Sequence, residues 1–297
     1  MNDSLHTQPA ASSALALTTP SDAGFDPVKL ANALDFAASC ETRWPRDLGS
    51  GLRADPKFHE PPPWNTVLGP TRDRSGPNGV VLRGGAIVAS YGDSLAVDMS
   101  FSIAKSYLAV LTGIAIRDGL IADLDSPVRN SSLDDGFESA QNQTITWRHL
   151  LHQSSEWEGT LWSKPDLVDR NRQVGKTADN SHKGSHRDLQ TPGTVYEYND
   201  VRVNRLSLSL MQVFGRELGE VLKAEVMDPI GASNSWTWHP YSNSAFDING
   251  KTLYSVPGGS HWGGGIFMHS EDHARFGQLI ANDGCWDGQR LLPEGWV

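Results

Sequence analysis

The order of strand and helix signals along the chain limits its fold more than any other feature. Two apolar, β-branched runs, Gly79-Val80-Val81-Leu82-Arg83 and Ala86-Ile87-Val88-Ala89-Ser90-Tyr91, are joined by Gly84-Gly85 and predict a β-hairpin. From Ser102 the period becomes helical, with Ala104, Leu108, Leu111 and Ala115 recurring up to Gly119. Helical signals continue at 146–151, with Thr146 as cap, and then at 203–214 and 221–227. The glycine-rich run 258–268 predicts a further strand and 271–282 a further helix. Strands first, helices in the middle and a strand again near the end imply an α+β fold: a mixed, largely antiparallel sheet flanked by helices. One catalytic-sized domain is expected over 21–297. Its sheet part is about 21–100 and 250–297, and its inserted helical part about 101–249.

The flanking segments are less regular. Residues 1–20 are rich in Ser, Thr and Ala without periodicity and are expected to be a mobile leader. Asp26-Pro27 then supplies a cap and a first-turn proline for a helix carrying Val28, Leu30, Leu34 and Phe36. Six prolines break 43–74 into a long irregular connection, and the polar stretch 160–192 is expected to be a surface excursion.

Composition narrows the function. A chain of 297 residues with 38% hydrophobic content can bury a real core. Its 35 acids against 25 bases leave a formal charge of -10, which argues against nucleic-acid partners. Cys40 and Cys285 lie far apart without metal-ligand spacing and are expected to be free thiols. The ten histidines form no His-x-x-x-His pair within one predicted helix and no carboxylate-rich cluster, so neither a metal nor another cofactor is expected. Residues 1–19 contain no Lys or Arg, and the longest apolar segment, 107–116, is far short of a membrane span. A cytoplasmic protein with no membrane partner is the expectation; the oligomeric state is left open.

The chemistry concentrates at Ser102-Ile103-Ala104-Lys105, where helical spacing brings a hydroxyl and an amine onto one face. A serine is a weak nucleophile until a neighbour accepts its proton, and a lysine of lowered pKa can serve. Alone, this pattern occurs in many helices as a capping serine and a solvated lysine. Here Phe101 precedes it, and Asp118-Gly119-Leu120-Ile121 and Leu124-Asp125-Ser126-Pro127-Val128 follow the helix. Further along come Thr146-Trp147-Arg148-His149-Leu150-Leu151-His152-Gln153-Ser154-Ser155, then Pro192-Gly193-Thr194-Val195-Tyr196-Glu197-Tyr198, then His261-Trp262-Gly263.

These four segments, in this order, resemble the superfamily of serine β-lactamases and penicillin-binding proteins, in particular class C β-lactamases, D-Ala-D-Ala carboxypeptidases and related esterases. The resemblance covers about 79–290. It implies a β-lactamase/transpeptidase-like fold and a serine hydrolase that forms an acyl-enzyme on a small-molecule ester or amide. Ser102 would be the nucleophile, and Lys105 and Tyr198 would handle its proton; which of the two is the base stays open. The backbone N–H groups of Ser102 and Gly264 would form the oxyanion hole. Asp200, His261, Trp262, Gly263 and Trp157 would contact substrate. Two further strands and a helix would follow a segment like 291–297, so the chain is expected to lack a C-terminal part of the fold.

This chain departs from that pattern at several points. His261 stands where penicillin-recognising members have lysine, which makes the charge there depend on pH and favours the esterase-like branch. Tyr198-Asn199-Asp200 ends in an acid where the usual motif ends in asparagine; Asp200 would repel an anionic substrate, and Asn199 is the alternative if the register slips by one. Glu156 replaces a common glycine, and Trp157, Trp162 and Trp262 are expected to wall the cleft. Gly175-Lys176-Thr177 is out of order for the third motif. A D-amino-acid peptidase or weak β-lactamase is the alternative within this fold, and a catalytically silent ligand-binding protein the alternative outside enzymes.

Overall fold

The computed structural model describes residues 15–54, 60–175 and 177–297; residues 1–14 of the expected leader and Lys176 lie outside these. In chain order the first elements are β1 (Ala16–Leu17), α1 (Pro27–Ser39), α2 (Leu48–Ala54), β2 (Gly79–Arg83), β3 (Ala86–Tyr91), β4 (Asp98–Met99) and α3 (Ala104–Arg117). They are followed by α4 (Trp147–Leu151), β5 (Thr160–Leu161), β6 (Lys164–Pro165), α5 (Asp200–Phe214) and α6 (Leu218–Leu222). β7 (Thr237–His239), β8 (Ala245–Ile248), β9 (Lys251–Tyr254), β10 (Gly265–Met268), α7 (Ser270–Ala281), β11 (Cys285–Trp286) and β12 (Gln289–Arg290) complete the order.

The architecture is α+β. Its strands form two separate three-stranded sheets, β1-β3-β2 and β4-β10-β7, with three two-stranded ribbons. The division has a local cause. Gly263 and Gly264 have positive φ, and β10 begins only after them at Gly265, so four residues of the glycine-rich run form the strand. Both edges of β10 are then taken by short strands, one of which, β7, comes from the stretch expected to be helical. The hairpin forms as its sequence predicts, with β2 and β3 antiparallel and a register shift between Val81 and Leu82. Part of the expected leader is ordered, because Ala16 and Leu17 pair in parallel with Ala86 and Ile87.

The core is centred on two helices. Tyr107, Leu108, Leu111 and Ile114 of α3 are fully buried, and α5 buries nearly its whole circumference, including Leu210 and Met211. Gly113 lets Trp296 approach α3, since a Cβ there would stand 2.7 Å from the indole. A smaller cluster joins Leu48 and Leu52 of α2 to Met99 and Phe267, so the 43–74 connection contains a packed helix that its prolines conceal. By contrast α1, capped by Asp26 as expected, buries none of its residues fully, and Val28 and Phe36 stay exposed. The 160–192 stretch is also more buried than its polarity suggests. Lys164, Asp166, Asp169 and Arg170 are all buried, held by ion pairs such as Arg170 Nε to Asp166 Oδ2 at 2.7 Å.

Candidate active site

Ser102 lies in a single 3-10 turn, Phe101–Ile103, that leads directly into α3. Phe101 has φ +48°, rare for a residue with a side chain, so the backbone turns sharply just before the serine. One helical turn on, Lys105 Nζ stands 3.0 Å from Ser102 Oγ. Tyr198 precedes α5 and brings its phenol oxygen to 2.5 Å from the same Oγ. Tyr196, the neighbouring candidate, is exposed to solvent. Hydroxyl, amine and phenol therefore converge, although Ser102 and Tyr198 are 96 residues apart.

The lysine is not a free amine. Its Nζ also donates to Asp200 Oδ1 at 2.6 Å and lies 4.6 Å from the centre of the Tyr198 ring. Burial pulls the Lys105 pKa down, but Asp200 and Tyr198 outweigh it and hold the amine above its ordinary value. Asn199 cannot substitute for Asp200, because its side chain caps α5 through the N–H groups of Val201 and Arg202 and donates to the Asp166 carbonyl.

Asp200 is the hub of a buried charge network. Its Oδ2 accepts from Arg172 Nη1 at 2.8 Å and faces His261 Nδ1 at 3.2 Å. His261 Nε2 faces Glu60 Oε1 at 2.8 Å, and Glu60 also receives Lys183 Nζ at 2.5 Å and Trp262 Nε1 at 3.1 Å. Asp169 accepts the backbone N–H of Asp200 and pairs with Arg172 and Lys183. Burial opposes each charge, yet the partners win. Asp200 is held well below the usual carboxylate range by Lys105 and Arg172, and Glu60 falls to about 2 against its own burial because of His261 and Lys183. His261 is raised, since the carboxylates Asp169, Asp200 and Glu60 overcome the burial that would lower it. Glu60, Asp169 and His261 are the one group of metal-ligand type and spacing among the described residues. The Lys183 ammonium already sits on both of its carboxylates.

Several expected substrate contacts are engaged elsewhere. Asp200 spends its charge on Lys105 and Arg172 and does not present it to an anionic ligand. Both ring nitrogens of His261 face carboxylates. Trp262 is buried against His261 with its N–H on Glu60. Trp157 is a core residue, its indole N–H donating to the Gly136 carbonyl at 2.7 Å, so it does not wall the cleft. The adjacent Glu156 is fully buried; Arg187, Arg202 and the Gln190 N–H hold its carboxyl at about 2 despite burial.

The oxyanion hole also differs from the expectation. The Gly264 N–H donates to the Pro70 carbonyl at 2.8 Å, and Leu68 and Gly69 both donate to the Trp262 carbonyl. A Cβ on Gly263 would stand 2.4 Å from the Gly69 carbonyl oxygen, and one on Gly69 would stand 2.5 Å from Gly264 N. These glycines make room for the chain's own segment 68–70, which covers the backbone expected to meet substrate. The glycine that faces the nucleophile is Gly259, where a Cβ would lie 3.4 Å from Ser102 Oγ and 3.2 Å from Lys105 Nζ.

Sequence reasoning missed Glu60, Asp169, Arg172, Lys183 and Gly259. The only hint was in 160–192, where the apolar pair Leu167-Val168 lies between Asp166 and Asp169 and marks a segment that must pack.

The profile of the family described as Beta-lactamase matches residues 81–296. A search of curated proteins finds no match. Among solved structures the chain is similar to a candidate 6-aminohexanoate-dimer hydrolase from Bacillus anthracis, at 17% identity and TM-score 0.50, covering 73% of this chain and 56% of that one. It is also similar to an octameric penicillin-binding protein homologue from Pyrococcus abyssi, at 16% identity and TM-score 0.50, covering 74% of this chain and 54% of that one. The chain thus spans little more than half the length of either structure. No described helix is long and apolar enough to cross a membrane.

Proposed function

The chain belongs to the β-lactamase family, and we propose that it works as a serine hydrolase forming an acyl-enzyme on an ester or amide. The observation that carries this reading is the meeting of Lys105 Nζ and the Tyr198 oxygen at Ser102 Oγ, at 3.0 and 2.5 Å. Lys105 is held as an ammonium by Asp200, so it can donate but not accept; the proton then goes to the Tyr198 oxygen, a step that requires the deprotonated phenol. In acylation the Ser102 Oγ–H bond breaks, the proton passes to the Tyr198 oxygen, and Oγ bonds to the carbonyl carbon. Collapse of the tetrahedral adduct breaks the C–O or C–N bond, and the leaving alcohol or amine takes that proton from Tyr198. Water then attacks the acyl-enzyme by the same route, releasing the acid and restoring Ser102. The Lys105 ammonium, beside both oxygens, stabilises the negative charge that moves between them. For the oxyanion, the Ser102 N–H is one donor; Gly264 becomes the second only when the Pro70 carbonyl releases it.

Intact-mass spectrometry after exposure to a library of p-nitrophenyl esters, anilides and a cephalosporin tests this reading. It predicts a single acyl adduct that is absent in Ser102→Ala and favours esters or simple amides. An adduct with the cephalosporin alone would support the lactamase alternative, and no adduct from any donor would leave only ligand binding.

A further inference from the structure

Ser102 opens onto a cavity of about 560 Å³, and we propose that this cavity seats a neutral, apolar acyl group, which makes esters or amides of medium-chain or aromatic acids the preferred substrates. This proposal rests on the serine-hydrolase reading. Ser102, Asp200 and His261 line the cavity together with Trp44, Leu48, Met99 and Phe101, which supply apolar surface. That wall is firmly built. Leu48 and Met99 are buried in the small second core, and the Trp44 and Phe101 rings meet edge to face at 5.7 Å. The left-handed turn at Phe101 therefore ties the nucleophile's backbone to the hydrophobic wall.

The charged groups around the cavity already have protein partners. Arg74 pairs with Glu41 at 2.6 Å and donates to the Trp44 carbonyl at 2.7 Å. Asp98 accepts the Ser75 N–H at 2.7 Å, and Arg172 is committed to Asp200. A substrate carboxylate would have to displace one of these pairs, whereas a hydrocarbon or aryl group only displaces water from apolar surface. The volume falls within the range of small-molecule sites, roughly 300–1,000 Å³.

The test is a p-nitrophenyl ester series from acetyl to octanoyl, with benzoyl, alongside fluorophosphonate labelling of Ser102. The expected result is a rise in kcat/KM of about tenfold or more from acetyl to hexanoyl, as added methylenes reach the wall. Ala37 lines the cavity, and Ala37→Trp, which fills part of it, should lower the hexanoyl-to-acetyl ratio about tenfold. If that variant misfolds, N-ethylmaleimide on Cys40 of folded Cys285→Ser protein decides instead, because Cys40 is exposed and lines the same cavity. It should lower the ratio likewise. A flat or falling chain-length profile with Ser102 still labelled would overturn the acyl site and leave the serine hydrolase standing. Failure of Ser102 to label would overturn both.

Discussion

The two walls of the cleft are built on different principles. On the helical wall, Ser102 is set by the 3-10 turn that leads into α3 and Lys105 by the first turn of α3, while Tyr198 and Asp200 are set by the approach to α5 and its first residue; the two helices pack on each other in the main core. Every contact there is short, and the charges are paired. On the strand wall, three successive left-handed glycines lead into β10, and the chain's own segment 68–70 occupies the backbone groups that would hold an oxyanion. Helical spacing specifies side-chain positions through local geometry. The strand wall depends on which of several distant segments reaches its hydrogen-bonding groups first.

The contrast can be broken or sharpened by experiment, beginning on the helical wall. Tyr198→Phe removes the proton acceptor and keeps the ring under Lys105; it should lower kcat/KM by about 10²–10⁴-fold in a p-nitrophenyl ester assay. A loss of less than threefold would shift the base role to Lys105. Asp200→Asn leaves Lys105 and Arg172 without their shared carboxylate and should cost about 3 kcal/mol of stability by denaturant unfolding. It should also move the pH–rate profile, because Lys105 loses the partner that raises it most.

Glu60 links the two walls through His261 and Trp262, and its carboxyl is held at about 2, below its unfolded value. Its contribution, on the order of 3 kcal/mol before any compensation, is therefore complete above about pH 4.5 and lost as pH falls toward 2. Unfolding measured across that window should slope steeply in the wild type and less in Glu60→Gln; parallel slopes would remove Glu60 from the network. The smallest effect belongs to the strand wall. Gly69→Ala places a Cβ against Gly264 N and should push segment 68–70 outward, raising the acylation rate several-fold if Gly264 is the second oxyanion donor. An unchanged rate would assign that role to another group.

This division also explains what could be read in advance. The hairpin, the helix that opens beside Ser102, the Thr146 and Asp26 caps and the pairing of Ser102 with Lys105 all follow from spacing within one element, where physical neighbours are sequence neighbours. Ser102, Lys105 and Tyr198 could be named together only through the ordered resemblance, and the structure brings them into contact. The Glu60–His261–Asp200–Arg172 network was not legible. Its members come from four separate segments, and nothing in a polar sequence says which acid will be buried beside which base. Trp157 and Trp262 illustrate the same limit. Indoles beside a motif can face a cleft or fill a core, and here Gly136 and Glu60 offered buried acceptors that drew both inward. Gly263 and the Gly264 N–H, expected to meet substrate and oxyanion, instead meet the chain's own segment 68–70.

Activation of Ser102 by Tyr198 and Lys105 must show in how fast the hydroxyl reacts. The most direct measurement is peptide mapping of the fluorophosphonate adduct, with its rate of formation compared in wild type, Ser102→Ala and Tyr198→Phe. The expected result is one modified residue, Ser102, labelled about a hundredfold or more slower in Tyr198→Phe. A label on another residue, or equal rates in wild type and Tyr198→Phe, would contradict it.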